Sequence, residues 1–181
     1  MENRGMHTLT RFSPSQLKAV EEAVAVAEEL VGNHYKMSSA QWLHSRYEVR
    51  TAKDLAEHEA VCGPFAQVVK YEARRKDAYL SSSVFTFYLI CLQDETILET
   101  VEKRGSLHLM PFLLYIMVHE LVHIVRFSRF YRMYEKGGKS ENELAEERKV
   151  HDITCAILEN VSVNGIGIVN KYFEKWRIQN P

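Results

Sequence analysis

Two histidines four positions apart, with a glutamate directly after the first, are the residues of this chain best suited to chemistry: His119-Glu120-Leu121-Val122-His123. On a helix, such histidines stand one above the other on the same face and can hold one metal ion through their ring nitrogens. Glu120 is turned roughly 100° from His119, which sets its carboxylate beside the ion, within reach of a bound water. The run before the motif, PFLLYIMV, is apolar, so a helix is the expected setting. Histidines buried in so apolar a helix need partners, and a glutamate in the same turn is a poor core residue. Both points favour the metal reading over a pair of uninvolved histidines.

Catalytic zinc takes three protein ligands and leaves a fourth position open. The continuation H-E-x-x-H-x-x-G-x-x-H is excluded, because Arg126 and Arg129 stand at its glycine and histidine positions. A later helix opening at Ser140 offers Glu143, Glu146, Glu147 and His151. Glu143, Glu147 and His151 share one stripe, while Glu146 points roughly 100° away from Glu147. Leu144, Val150, Ile153, Ala156 and Ile157 mark the core side, and Glu147 and His151 flank it. Glu147 is the expected third ligand, and His151 is the runner-up or a support for the others. Ser140-x-x-Glu143 has the form of a capping box, and Glu143 and Glu146 read as first-turn acids that complement the helix dipole.

HELVH followed on a later helix by Glu147-Arg-Lys-Val-His-Asp resembles the gluzincin branch of zinc metallopeptidases, which pair H-E-x-x-H with a glutamate in an E-x-x-x-D motif. EERKVHDITCAIL is similar in outline to the E-x-x-A-N-x-F-A stretch of the ImmA/IrrE-like peptidases. Val122 replaces the commoner small residue of HELGH, and His151 stands where Asp or Asn is usual. The resemblance implies a zincin fold: a small sheet, an active-site helix beneath it and a glutamate helix after it. It also implies a strand beside that helix whose edge holds an extended peptide, a place open to Val84–Leu92 or to its partner at 65–74. A carboxylate orienting His119 or His123 from behind is implied too; here His151 or Asp152 takes that role, or the group is missing.

Ser13-Pro14 reads as a helix start, Leu17, Val20, Val24, Ala27 and Val31 as its apolar stripe, and Gly32-Asn33 as its end. Residues 37–50 are irregular, and 51–60 suggest a short helix ending near Gly63-Pro64. Two strands follow, Phe65–Arg74 and Val84–Leu92, with Asp77 and Ser81–Ser83 turning them into an antiparallel pair. A helix over Asp94–Lys103 stops at Gly105, and a long helix runs from Pro111 to Gly137-Gly138. The capped helix reaches about Asn160, and a last one spans Ile166–Trp176. The expected class is α+β, zincin-like, mostly helical with one small sheet, in a single domain over 1–181 with 1–12 as a loose N-terminal arm.

The chain's 181 residues, 46% hydrophobic and 26% charged, suit one globular domain. Twenty-three basic and 24 acidic residues leave a net charge of −1, which removes the broad basic field of a dedicated nucleic-acid binder. Arg126, Arg129 and Arg132, interleaved with Phe127, Phe130, Tyr131 and Tyr134, therefore read as the solvated and core faces of an amphipathic helix. Cys62, Cys91 and Cys155 form no C-x-x-C pair and no even framework, which points to a reducing compartment, with Cys155 a small buried residue. The N-terminus lacks a signal-like apolar core, and Leu109–Val118 is about half the ~20 residues a membrane span needs. A cytoplasmic protein without membrane contact is expected. Its function would be that of a zinc-dependent metallopeptidase acting on a peptide or protein. The zinc ion would polarise the scissile carbonyl, Glu120 would serve as general base, and Tyr131, Tyr134, His151 or Tyr172 would stabilise the oxyanion. The alternatives are a catalytically silent zincin-fold binding or regulatory module and, more weakly, a nucleic-acid-associated protein using the Arg126/Arg129/Arg132 face.

Overall fold

Residues 10–44, 46–74, 84–134 and 139–178 are described by the computed structural model. Helix α1 (Pro14–Tyr35) starts as its sequence requires: the Ser13 hydroxyl accepts the Gln16 N–H, and the Gln16 side chain accepts the Ser13 N–H at 2.7 Å. Val20, Ala23, Ala27 and Val31 form its buried stripe. The helix passes through Gly32-Asn33 and ends at Lys36, which adopts a left-handed φ of 51°. Gly32 is a packing residue and not a stop. A Cβ there would lie 3.3 Å from Trp42 Nε1, so its absence lets the short helix α2 (Ser39–His44) close onto α1. The loose arm expected over 1–12 does not extend to its last residue: Phe12 is buried, and its N–H donates to Asp94 Oδ2 at 2.9 Å. Residues 1–9 lie outside the described ones.

The sheet has three strands, β1 (Tyr47–Arg50), β2 (Ala66–Arg74) and β3 (Val84–Leu92), in the order β1-β3-β2. β3 runs antiparallel to β2, from Ala66↔Leu92 to Arg74↔Val84, as expected; the turn assigned to Asp77 and Ser81–Ser83 lies outside the described residues. It runs parallel to β1, with Tyr47 opposite Tyr88 and Val49 opposite Ile90. Its near-continuous apolar sequence fits that central place, with Tyr88–Leu92 buried. β1 is too short to carry a periodic signal. The helix expected over 51–60 is a series of turns, because side-chain oxygens take the donors a helix would use. Glu59 Oε2 accepts Ala56 N–H at 2.8 Å, and Asp94 Oδ1 accepts Ala52 N–H at 3.0 Å.

Helix α3 (Asp94–Arg104) stops at Gly105, whose φ of 58° favours glycine. Helices α4 (Leu109–Tyr134), α5 (Lys139–Leu158) and α6 (Ile166–Ile178) follow. α4 is the core: α1, α3, α5, α6 and β2 all pack on it. The stretch Leu109–Ser128, of mean hydropathy 1.4, is long and apolar enough to cross a bilayer, exceeding the Leu109–Val118 run; 83% of that window is buried inside the fold. The architecture is α+β with helices dominant, as the sequence predicts.

Asp94 ties three segments together. It is 1% exposed and accepts N–H groups from the N-terminal segment and from the turn after β1 while standing at the head of α3. Asp94→Ala strands two backbone donors and should cost about 2–4 kcal/mol, measured by urea unfolding; Asp94→Asn, which keeps one acceptor, should cost about half as much.

Candidate metal centre

One face of α4 carries Tyr115, His119, His123 and Phe127 at successive turns, and α5 brings Glu147 and His151 against it. His119 Nε2 lies 3.1 Å from Glu147 Oε1, and His123 Nε2 lies 3.1 Å from Glu147 Oε2. The two Nε2 atoms are 3.1 Å apart. A four-coordinate ion with bonds of about 2.0–2.1 Å places its donor atoms roughly 3.3 Å from one another. The three separations lie within a few tenths of an ångström of that edge, with each imidazole facing its own oxygen of the Glu147 carboxylate. His151 adds a fourth group: its Nε2 is 3.4 Å from Glu147 Oε1, and ligand atoms of His119, Glu147 and His151 all lie within 4.8 Å of one another. Glu147 and His151, read as first choice and runner-up, thus occur together. Glu147 is 43% exposed at its side chain, the open side of an otherwise buried cluster.

The electrostatics divide these groups. Burial lowers the His119 pKa to about 4 against the pull of Glu147, which leaves its imidazole neutral at physiological pH. Burial also depresses His123, but hydrogen bonding to Glu147 and the fields of Glu120, Glu147 and Glu146 outweigh it, and the net shift is upward. Glu147 is pushed up by desolvation, yet contacts with His119, His123 and His151 win and hold it far below the carboxylate range. Glu120, 8% exposed, goes the other way: burial pushes it up to about 7, with His123 opposing and Glu147 reinforcing the shift. Glu120 lines the same cavity of about 100 Å³ as His119, Glu147 and His151, together with Tyr115, Ile116, Phe173 and the segment Pro64–Ala66 at the head of β2.

Several sequence expectations change here. The orienting carboxylate is missing among the described residues: His119 Nδ1 and His123 Nδ1 are buried without a hydrogen-bond partner, His151 faces into the cluster, and Asp152 is exposed. Glu146 is not a solvated first-turn acid. It is 7% exposed and forks onto Arg126, 6% exposed, with Nη2 to Oε2 at 2.7 Å. Its direction, roughly 100° from Glu147, leads into α4 and not into water. Arg126 correspondingly leaves the solvated face to which it was assigned; the side chains of Arg129, Arg132, Tyr131 and Tyr134 lie outside the described ones. Glu143 is exposed, as a surface acid, but α5 already includes Lys139 and Ser140, so Ser140 lies inside the helix and the expected capping box is not its start. Tyr172 lies away from the cavity, beneath the Arg104 guanidinium and against Phe65 and Phe112. Cys155 is buried, as expected. Of the two strands considered for the edge beside the site, β3 is paired on both sides, and β2 supplies the residue at the cavity, Ala66.

Tyr115 escaped the sequence reading. Its hydroxyl is 2.9 Å from His151 Nδ1 and 3.8 Å from Cys155 Sγ, and its ring stacks on Phe173 at 3.9 Å. The available signal was its place one helical turn before His119, on the stripe that His119 and His123 share. Comparison of the chain with protein-family models, with curated proteins and with solved structures finds no match.

The Arg126–Glu146 pair predicts a measurable asymmetry. Arg126→Met alone should cost about 3–5 kcal/mol by leaving a buried carboxylate unpaired, whereas Arg126→Met with Glu146→Leu should recover most of that loss. A double-mutant cycle in urea reads both.

Proposed function

We propose that the chain is a zinc-dependent peptide hydrolase of zincin type, with His119, His123 and Glu147 as metal ligands and Glu120 as general base. The observation that carries this reading is the convergence of two imidazoles and a carboxylate at metal-edge separations beside a second, buried carboxylate on the same cavity. Zinc, when bound, supplies a Lewis acid that polarises a carbonyl and acidifies water. Glu120 takes and returns the proton: a carboxyl poised at about 7 can accept it from water and deliver it to a leaving amine at neutral pH. Tyr115 fixes the His151 ring through Nδ1, and His151, lining the cavity, is the group best placed to stabilise an oxyanion. The outer edge of β2 offers backbone groups to an extended peptide.

One observation favours a second reading, a silent binding or regulatory module. Ligand atoms of His151 gather with those of His119 and Glu147 within 4.8 Å, and a further protein ligand at the ion would close the position that water needs.

Glu120→Gln separates the two. It should retain zinc, measured by elemental analysis, and lose cleavage of a peptide library by about 10²-fold or more, while His119→Ala loses both metal and cleavage. Zinc content unchanged in Glu147→Ala would remove Glu147 from the ligand set. Absence of chelator-sensitive cleavage from the wild type, with zinc bound, would select the silent module.

Zinc loading should also depend on pH in a particular way. A protonated imidazole cannot ligate, so affinity falls as pH drops. His119 stays neutral down to about 4, and His123, raised above 6.5, takes up the competing proton. The expected loss is about tenfold per pH unit below the raised His123 value, a one-proton slope, by competition with a zinc indicator. The slope is read in Glu120→Gln, because Glu120, raised to about 7, can release a second proton; a two-proton slope in that variant would contradict the His119 assignment.

A further inference from the structure

A second concavity, of about 1280 Å³, lies between α1 and β1 and shares no lining residue with the metal centre's cavity. Leu17, Val24, Met37, Trp42 and Val49, all partly exposed, give it an apolar floor. Glu21, Glu28 and Glu29 of α1 and Asp54 rim it, against Arg46 as the one basic lining residue among those described. Glu28 accepts the Tyr47 hydroxyl at 2.5 Å, which ties the acidic helix face to the strand.

β1 adds a main-chain feature to this groove. It is an edge strand, and Tyr88 N–H donates to Arg46 C=O at 2.8 Å. In a parallel ladder the backbone groups of successive residues alternate between the two sides of a strand. Arg46 and Glu48 therefore turn their backbone groups toward β3, and Tyr47 and Val49 turn theirs outward. Both outward residues line the groove.

We propose that this groove binds an extended peptide segment in which Lys or Arg alternates with apolar residues, added as a strand along the free edge of β1. The edge supplies main-chain hydrogen bonds, the floor takes one set of side chains, and the carboxylate rim selects basic residues in the other. The volume exceeds the roughly 300–1,000 Å³ of small-molecule pockets and suits several residues of chain. A second copy docking through the same face would set Glu21, Glu28 and Glu29 against an identical rim, so charge disfavours it. The inference does not depend on the metallopeptidase reading.

The test uses the full-length chain and two fluorescent ten-residue peptides, one alternating Lys with Val and the other alternating Glu with Val, followed by anisotropy. The Lys peptide should bind saturably at one per chain, weaken with salt, and exceed the Glu peptide by about tenfold or more in affinity. Glu21→Lys with Glu29→Lys should reverse the preference. Val49→Pro, which removes an outward N–H without breaking a ladder bond, should weaken the Lys peptide by about tenfold or more in a protein whose circular dichroism is unchanged. Equal binding of the two peptides, no saturable binding up to millimolar peptide, or affinity unmoved by the charge reversal would overturn the proposal. A dimer sensitive to that charge reversal would overturn it too, assigning the groove to a second copy.

Discussion

α4 is buried from Pro111 to Val122 and again over Ile124–Arg126, where a polar side chain without a partner in the protein is costly. α5 supplies those partners in antiparallel order: His151 for Tyr115, Glu147 for His119 and His123, Glu146 for Arg126. Apolar side chains alone would permit one helix to slide a turn along the other. A ladder of polar pairs does not, because a one-turn shift would leave a buried guanidinium and at least one buried imidazole unpaired, at several kcal/mol. The register of these two helices, and with it the shape of the cavity, rests on this constraint.

The same ladder gives two carboxylates opposite properties. Glu147 meets three imidazoles and is held ionised far below its usual range, whereas Glu120, one step around α4 from His119, gains little more than burial and rises to about 7. An anion fixed among imidazoles is suited to holding a cation, and a carboxyl near neutrality is suited to moving a proton. The separation follows from placement: Glu147 reaches across from α5 to the imidazole face of α4, while Glu120, about 100° around α4 from His119, is shifted mainly by burial.

The sequence made the helices and the two long strands legible wherever periodicity ran long or a terminator was explicit, as at Ser13-Pro14 and Gly105. It also made His119, His123 and Glu147 legible, because spacing on a helix fixes direction. What escaped depended on partners far along the chain. β1 has a parallel neighbour 41 positions away to define it, and the turns over 51–60 follow from Asp94 and Glu59. Gly32 looked like a terminator because its use, close approach by Trp42, is a tertiary fact. Glu146 and Arg126 looked solvated for the same reason: charge says outside unless a counter-charge arrives from another helix.

The imidazole cluster is not what α4 and α5 require in order to pack. The Arg126–Glu146 pair and the apolar stripe around Val150 and Leu158 already join them. His119 and His123 each leave a buried ring nitrogen without a partner, and each such atom costs about 1–3 kcal/mol relative to an apolar side chain of similar volume. Replacement of buried polar clusters by packed hydrophobic residues is often neutral or stabilising. The two unsatisfied nitrogens are a cost that fixing the helix register does not require. On the reading proposed above, an ion held by His119, Glu147 and their neighbours would offset that cost, because ligand binding adds stability to the folded state according to its affinity.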